Sequence, residues 1–211
     1  MRVLATWFFG SVLVPMVMGQ ALRCQQISTS DGLSDNSITK LLQDRNGFLW
    51  IGTDNGLNRY DGHHIRCWHG KDGLSGEHVT DILQDGGGTI WVATHEGGLT
   101  RFSAAGEVTR AYRPDPADPR AIANVRITCL FDLNDSILMI GAQRTPVIYL
   151  NKRTGLFTYW SGYGPMIPSA AMTKPVGGND WCNYISDIGD GRLAIGFLLV
   201  HKQWYVDRAS G

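Results

Sequence analysis

A repeat of 41 residues constrains this chain more than any other feature of its sequence. Gly32, Leu33 and Ser34 return as Gly73, Leu74 and Ser75. Thr39 returns as Thr80, and Leu42-Gln43-Asp44 as Leu83-Gln84-Asp85. Gly47, Trp50, Thr53 and Gly56 return as Gly88, Trp91, Thr94 and Gly97. Ile38/Val79, Leu41/Ile82, Leu49/Ile90 and Ile51/Val92 are conservative matches between these identities. A period near 40, built of β-prone runs and glycine-bearing turns, points to one four-stranded propeller blade per repeat.

The residues fit that unit. In the first repeat, 38–43, 48–53, 57–60 and 65–68 read as strands, with turns at 44–47, 54–56 and 61–62. The second repeat reads 79–84, 89–94, 99–102 and 108–112, with a one-residue insertion at 96–98, in a turn, where length changes are tolerated. A third, more divergent unit reads 127–132, 137–141, 147–150 and 156–160, with Met139 in place of the tryptophan. A fourth reads 184–188, 193–196 and 204–206, and the chain stops at Gly211 where a fourth strand would follow. The expected fold is all-β: a β-propeller of four-stranded blades, about 41–55 residues each, here about four of them. The expected organisation is an address at 1–19, a closing strand and blade 1 at 26–72, blade 2 at 73–120, blade 3 at 121–165 and blade 4 at 166–211.

Composition narrows the function. Lys plus Arg and Asp plus Glu are 19 each, so the chain is formally neutral and poorly suited to coating nucleic acid. With 43% hydrophobic and 10% aromatic residues it is too apolar for a disordered chain. Met1-Arg2 followed by the apolar run 3–18 has the layout of a secretory signal, with cleavage near Gly19 or Ala21. The run is short for a membrane span and is interrupted by Pro15. A lipoprotein reading is weak, because Arg23 directly precedes Cys24. The mature chain is expected outside the cytoplasm, where disulfides are permitted. None of the four cysteines (Cys24, Cys67, Cys129 and Cys182) forms a C-x-x-C pair, so zinc is not indicated. Cys129 and Cys182 fall on strands of neighbouring repeats and are the more plausible couple, with free thiols the open alternative.

Residues 32–62, reading GLSDNSITKLLQDRNGFLWIGTDNGLNRYDG, resemble the two-component regulator propeller repeat. Residues 112–128, YRPDPADPRAIANVRIT, resemble the alternative start of a blade in the same proteins. The resemblance implies the periplasmic sensor region of a bacterial, often hybrid, sensor histidine kinase. It implies a larger, seven-bladed ring in which a strand around Gln26 and Ser28 closes the last blade. It implies a small-molecule or oligosaccharide ligand, dimeric action, and immunoglobulin-like, transmembrane and kinase parts downstream. On that resemblance the chain is an incomplete arc of a longer gene, with unpaired edges that make it marginal alone. Kinase and ATP-binding motifs are not found in it, so the chain itself is read as non-catalytic.

Each eye-catching residue has a plain reading beside the chemical one. Trp50 and Trp91 suit sugar stacking, but their recurrence favours inter-blade core. Asp44 and Asp85 precede glycine-bearing turns and are expected to cap them. Residues 44–47 lack a second calcium-loop partner in 85–88, and Gly86-Gly87-Gly88 lacks the lysine and helix of a phosphate loop. His63, His64, Cys67 and His69 look like metal ligands on paper, but adjacent histidines on a strand point to opposite faces. No G-x-S-x-G occurs. No cofactor is implied. Arg113, Arg120 and Arg126 lie near the proline-rich segment 112–120 and are loop candidates for an anionic ligand, with solvated charge the plainer reading. The competing functions are an exported propeller enzyme, of polysaccharide lyase or quinoprotein type, and a scaffold or adhesion module.

Overall fold

The computed structural model describes residues 25–95, 97–118, 121–122, 126–143, 145, 147–160, 167–168, 182–189, 191–197 and 202–207. The expected signal segment 1–19 and Cys24 lie outside them. The regular elements of the described chain are strands apart from two short 3-10 turns, Thr29–Asp31 and Gly70–Asp72. Blade 1 is the antiparallel sheet β1 (Ile38–Gln43), β2 (Leu49–Thr53), β3 (Gly56–Tyr60) and β4 (Ile65–Trp68). Blade 2 repeats it with β5 (Val79–Gln84), β6 (Ile90–Thr94), β7 (Gly98–Phe102) and β8 (Val108–Tyr112). Blade 3 holds β9 (Ile127–Asp132), β10 (Ile137–Ala142), β11 (Val147–Asn151), β12 (Phe157–Trp160) and a fifth strand, β13 (Ile167–Pro168). Blade 4 has three described strands, β14 (Cys182–Gly189), β15 (Arg192–Phe197) and β16 (Lys202–Asp207).

Two details differ from the sequence reading. β13 pairs with β12 through Thr158–Pro168 and Tyr159–Ile167, so the start of blade 4 moves past residue 168. Pro168 sits there because an edge strand has one side on which a missing N–H costs nothing. Second, Gln26 and Ser28, expected in a closing strand, precede the first 3-10 turn and join no strand among the described residues. Among the described residues the four blades close no ring.

Each pair of neighbouring blades encloses its own core. Between blades 1 and 2 lie Trp50, Leu57, Trp68, Val79, Ile82 and Phe102. Between blades 2 and 3 lie Trp91, Leu99, Tyr112, Leu130, Leu138 and Phe157. Between blades 3 and 4 lie Met139, Val147, Tyr149, Ile185 and Ile195. A blade therefore turns a tryptophan-type face toward the next blade and an aliphatic face toward the previous one. Trp50 shows the first face at work. It stacks on Trp68 with centroids 5.5 Å apart and meets the edge of Phe102 from blade 2.

The indole N–H of each buried tryptophan requires an acceptor. Trp50 Nε1 donates to Asp44 Oδ2 at 2.8 Å, while Asp44 Oδ1 accepts from the backbone of Asn46 and Phe48. Trp91 Nε1 donates to Asp85 Oδ2 at 2.9 Å, and Asp85 Oδ1 accepts from Thr89 N. One carboxylate thus closes a turn and satisfies a core side chain. In blade 3 the corresponding pair is Leu133 and Met139, both buried. The acid disappears with the indole it served. Asn134, one position on, closes the turn by accepting from Ser136 N and Ile137 N.

A second tie joins blades 2 and 3. Lys152 is buried, with Nζ 3.3 Å from Asp85 Oδ2 and also bonded to Asp132 Oδ1. Asp85 experiences burial, which favours the neutral form. The Trp91 bond, the Lys152 cation and the Thr89 amide outweigh it, so its carboxyl titrates below its ordinary value of 3.8. A folded-state value below the unfolded one contributes stability that is present above the unfolded value and lost as pH falls through the folded value.

Among the described residues no sheet packs on the outer face of the first one. Ile38 and Leu41 of β1 are 44% and 56% exposed, whereas their counterparts Val79 and Ile82 are 0% and 2%. In urea titrations, Leu41→Ser is expected to change stability by less than about 0.5 kcal/mol and Ile82→Ser to cost about 3 kcal/mol or more. Lys152→Met is expected to cost about 3 kcal/mol at pH 7, because the buried Asp85 carboxylate loses its cation, and markedly less at pH 3. The same titration repeated at both pH values measures the difference.

Candidate functional site

Antiparallel pairing puts the described loops leading into the inner strands of blades 1 and 2 at one end, together with the turns joining their second and third strands. The other end carries the Asp44 and Asp85 turns, which are committed to core bonding. The lead-in end holds side chains of blades 1 and 2 that meet across their boundary.

The lead-in loops are built alike. A 3-10 turn ends on a left-handed glycine, Gly32 with φ 106° or Gly73 with φ 97°. Leu33 or Leu74 then plugs the core. Ser34 N donates to Asn58 Oδ1 and its hydroxyl bonds Thr53 Oγ1, while Ser75 N donates to Thr100 Oγ1 and its hydroxyl bonds Thr94 Oγ1. Thr53 and Thr94 also donate to the carbonyls of Gly56 and Gly98. The recurring serine and threonine thus clip the loop to the turn beside it.

That last bond corrects the sequence alignment. Gly56 has φ 123° and pairs with Thr53, and the residue with the same geometry in blade 2 is Gly98, φ 103°, not Gly97. The inserted residue shifts the left-handed position by one. Gly97 serves a different need. A Cβ there would collide with the backbone of Ser75 and Gly76, so the loop and turn approach as closely as they do because it has none. Gly47 and Gly88 both take positive φ in the opposite turns.

The clip presents a polar patch across the boundary of blades 1 and 2. His95 N donates to the His78 carbonyl, and the two imidazoles stack with centroids 5.2 Å apart. His78 Nε2 lies 3.6 Å from Asp54 Oδ1 of the neighbouring turn, both side chains about half exposed. Glu77 Oε2 bonds His69 Nδ1 at 3.0 Å, and its Oε1 accepts from Gly70 N. Two planar imidazoles beside two carboxylates offer donors, acceptors and a flat face to a polyhydroxylated or charged ligand. Sequence reasoning missed this patch because it tracked identities between the repeats. The signal lay in the differences: His78 replaces Ser37, and His95 replaces Asp54.

The other candidates fall elsewhere. Trp50 and Trp91 are fully buried between blades. Arg113 is exposed, but its Nη2 donates to the Leu74 carbonyl at 2.7 Å, pinning the proline-rich segment to the blade 2 loop. Arg126 is exposed on the lead into β9, and its carbonyl accepts from Gln143 N. Arg120 lies outside the described residues. His63 and His64 sit in an exposed turn around Asp61, whose Oδ1 accepts both their backbone N–H groups and whose carboxyl is held below the ordinary range by them. Cys67 contacts Asn58 Oδ1 and the Gly32 carbonyl, so it does not converge with those histidines. Among the described residues no group of three His, Cys, Asp or Glu is placed to hold a metal ion, and no helix is long and apolar enough to cross a membrane.

Comparison with known proteins places this geometry. Residues 32–55 and 73–96 match the family described as two component regulator propeller. A 33-residue stretch is 54% identical to a histidine kinase of Formosa agariphila, covering 16% of this chain and 2% of the kinase. The extracellular domain of a protein assigned as a hybrid two component system in B. thetaiotaomicron superposes with a TM-score of 0.67 at 22% identity, over 88% of this chain and 25% of that one. A second such domain from the same organism gives 0.56 at 18% identity, over 76% of this chain and 20% of that one. The C-terminal WD40 domain of Sif2 gives 0.53 at 11% identity, over 81% of this chain and 45% of that one. The chain thus spans about a quarter or less of the extracellular domains it resembles and a small fraction of the kinase.

Proposed function

We propose that this chain, two of whose blades are two component regulator propeller repeats, is a ligand-sensing module of an extracytoplasmic receptor that signals through a histidine kinase. The observation that carries the reading is the match of two successive blades to that one family. The likeness to extracellular domains of two component systems supports the compartment. The sensing is non-catalytic in this chain, and the ligand is a small polyhydroxylated molecule of the oligosaccharide class. It docks at the lead-in end, over His78, His95 and Asp54, where imidazole faces and hydrogen-bonding edges are presented together. Binding there bridges blades 1 and 2, and a signal arises if the ligand prefers one arrangement of the receptor over another.

The reading is tested by titrating the full chain with an oligosaccharide panel while following thermal unfolding and product formation. A ligand at about one hundred times its Kd is expected to raise Tm by roughly 5–10 °C. His78→Ala and His95→Ala are expected to weaken binding by about tenfold or more with little change in the ligand-free Tm. Release of cleaved sugar would favour the exported-enzyme reading. No shift with any ligand, together with a stable protein partner, would favour a scaffold.

A further inference from the structure

The inner strands β1, β5, β9 and β14 carry a repeated device that the sequence comparison does not reveal. Each has a register shift against its neighbour at the same place, near Lys40, Asp81, Cys129 and Tyr184. All four of these residues face a small partner: Lys40 pairs with Gly52, Asp81 with Ala93, Cys129 with Gly141 and Tyr184 with Gly196. With no bulk opposite, each side chain is free to lean across to the next blade. Lys40 Nζ reaches Asp81 Oδ1 at 2.7 Å, and Asp81 Oδ2 accepts from Leu130 N at 2.7 Å. At the third step Cys129 of β9 meets Cys182 of β14. Both are buried, at 9% and 0% exposure. Both sulfurs rest against Gly141, where any Cβ would collide with the pair. The S–H of Cys182 bonds the Cys129 sulfur, which holds the Cys129 thiol below its ordinary value against the pull of burial. The same bond, with burial, pushes the Cys182 thiol up.

We propose that Cys129 and Cys182 form a disulfide that ties blade 3 to blade 4 covalently, at the position where the preceding blades use an ion pair and a hydrogen bond. The chemistry is thiol–disulfide exchange with a disulfide oxidant, glutathione disulfide or the disulfide of an oxidoreductase, before the two blades seal. The Cys129 thiolate attacks one oxidant sulfur, forms a mixed disulfide and releases the other as a thiolate. Cys182, deprotonated, then attacks the Cys129 sulfur and expels the second oxidant sulfur as a thiol. The two cysteines lose two electrons and two protons, and the oxidant disulfide becomes two thiols. Cys67 stays reduced, because its sulfur is engaged by Asn58 and Gly32 within blade 1. The inference rests on the extracytoplasmic reading only for the source of the oxidant.

The test supplies the oxidant directly, so it does not depend on compartment or ligand. The full chain is reduced in denaturant, refolded in the presence of glutathione disulfide, then denatured, alkylated and mapped as peptides without reduction. The expected result is a Cys129–Cys182 linked peptide, with Cys67 alkylated. Reduction is expected to lower Tm by roughly 5–15 °C, as removal of a typical disulfide does in a domain of this size. Cys129→Ala and Cys182→Ala are each expected to abolish both the linked peptide and the response of Tm to reductant. Alkylation of both cysteines after oxidation, linkage of either to Cys24 or Cys67, or a reductant response that survives in the variants would overturn the proposal.

Discussion

An indole buried between two sheets brings an N–H that water no longer serves, and the architecture of each regular blade follows from where that N–H is sent. Asp44 and Asp85 accept it from the turn six residues upstream. The carboxylate cannot be reached unless the turn is tight, and the turn is held tight by the same carboxylate. Core packing and hairpin closure therefore stand or fall together. Blade 3 supports this logic by exception, since Leu133 and Met139 occupy the two positions and neither needs the other. A hydrophobic pair can replace the polar pair, whereas either half of the polar pair alone would leave a buried group unsatisfied.

The arc has two ends with separate duties. At the Asp44 end, side chains are committed inward: Arg45 donates to the Gly86 carbonyl and Lys152 joins Asp85 to Asp132. At the lead-in end, the serine–threonine clips consume short side chains and leave longer ones standing clear. His78 and His95 are joined by a backbone bond, and their rings stack on each other. A surface arranged in this way can recognise a ligand with little reordering.

The strands were legible in the sequence because alternation, turn glycines and the repeat all said the same thing. The two tryptophans were legible as core for the same reason. What escaped depends on contacts between residues remote in sequence. The fifth strand of blade 3 is two residues long, too short for any pattern. The exchange of Gly97 for Gly98 follows from a single insertion that identity counting cannot place. Arg113 looked available for a ligand because nothing in the sequence announces that the Leu74 carbonyl stands within reach of its guanidinium. The proximity of Cys182 to Cys129 follows from neighbouring inner strands, but its tightness comes from Gly141, a residue with no chemistry of its own.

The exposed aliphatic side chains of β1 bear on how such a chain arises. Ile38 and Leu41 match Val79 and Ile82 in kind, so the first blade already carries the half-joint that later blades use. A duplicated blade inherits both halves of its joint at once, tryptophan side and aliphatic side. Tandem copying of one gene segment then lengthens the arc without inventing a new interface. The copies diverge at the lead-in end, as His78 and His95 have done, and within a joint when both partners change together, as Leu133 and Met139 have done.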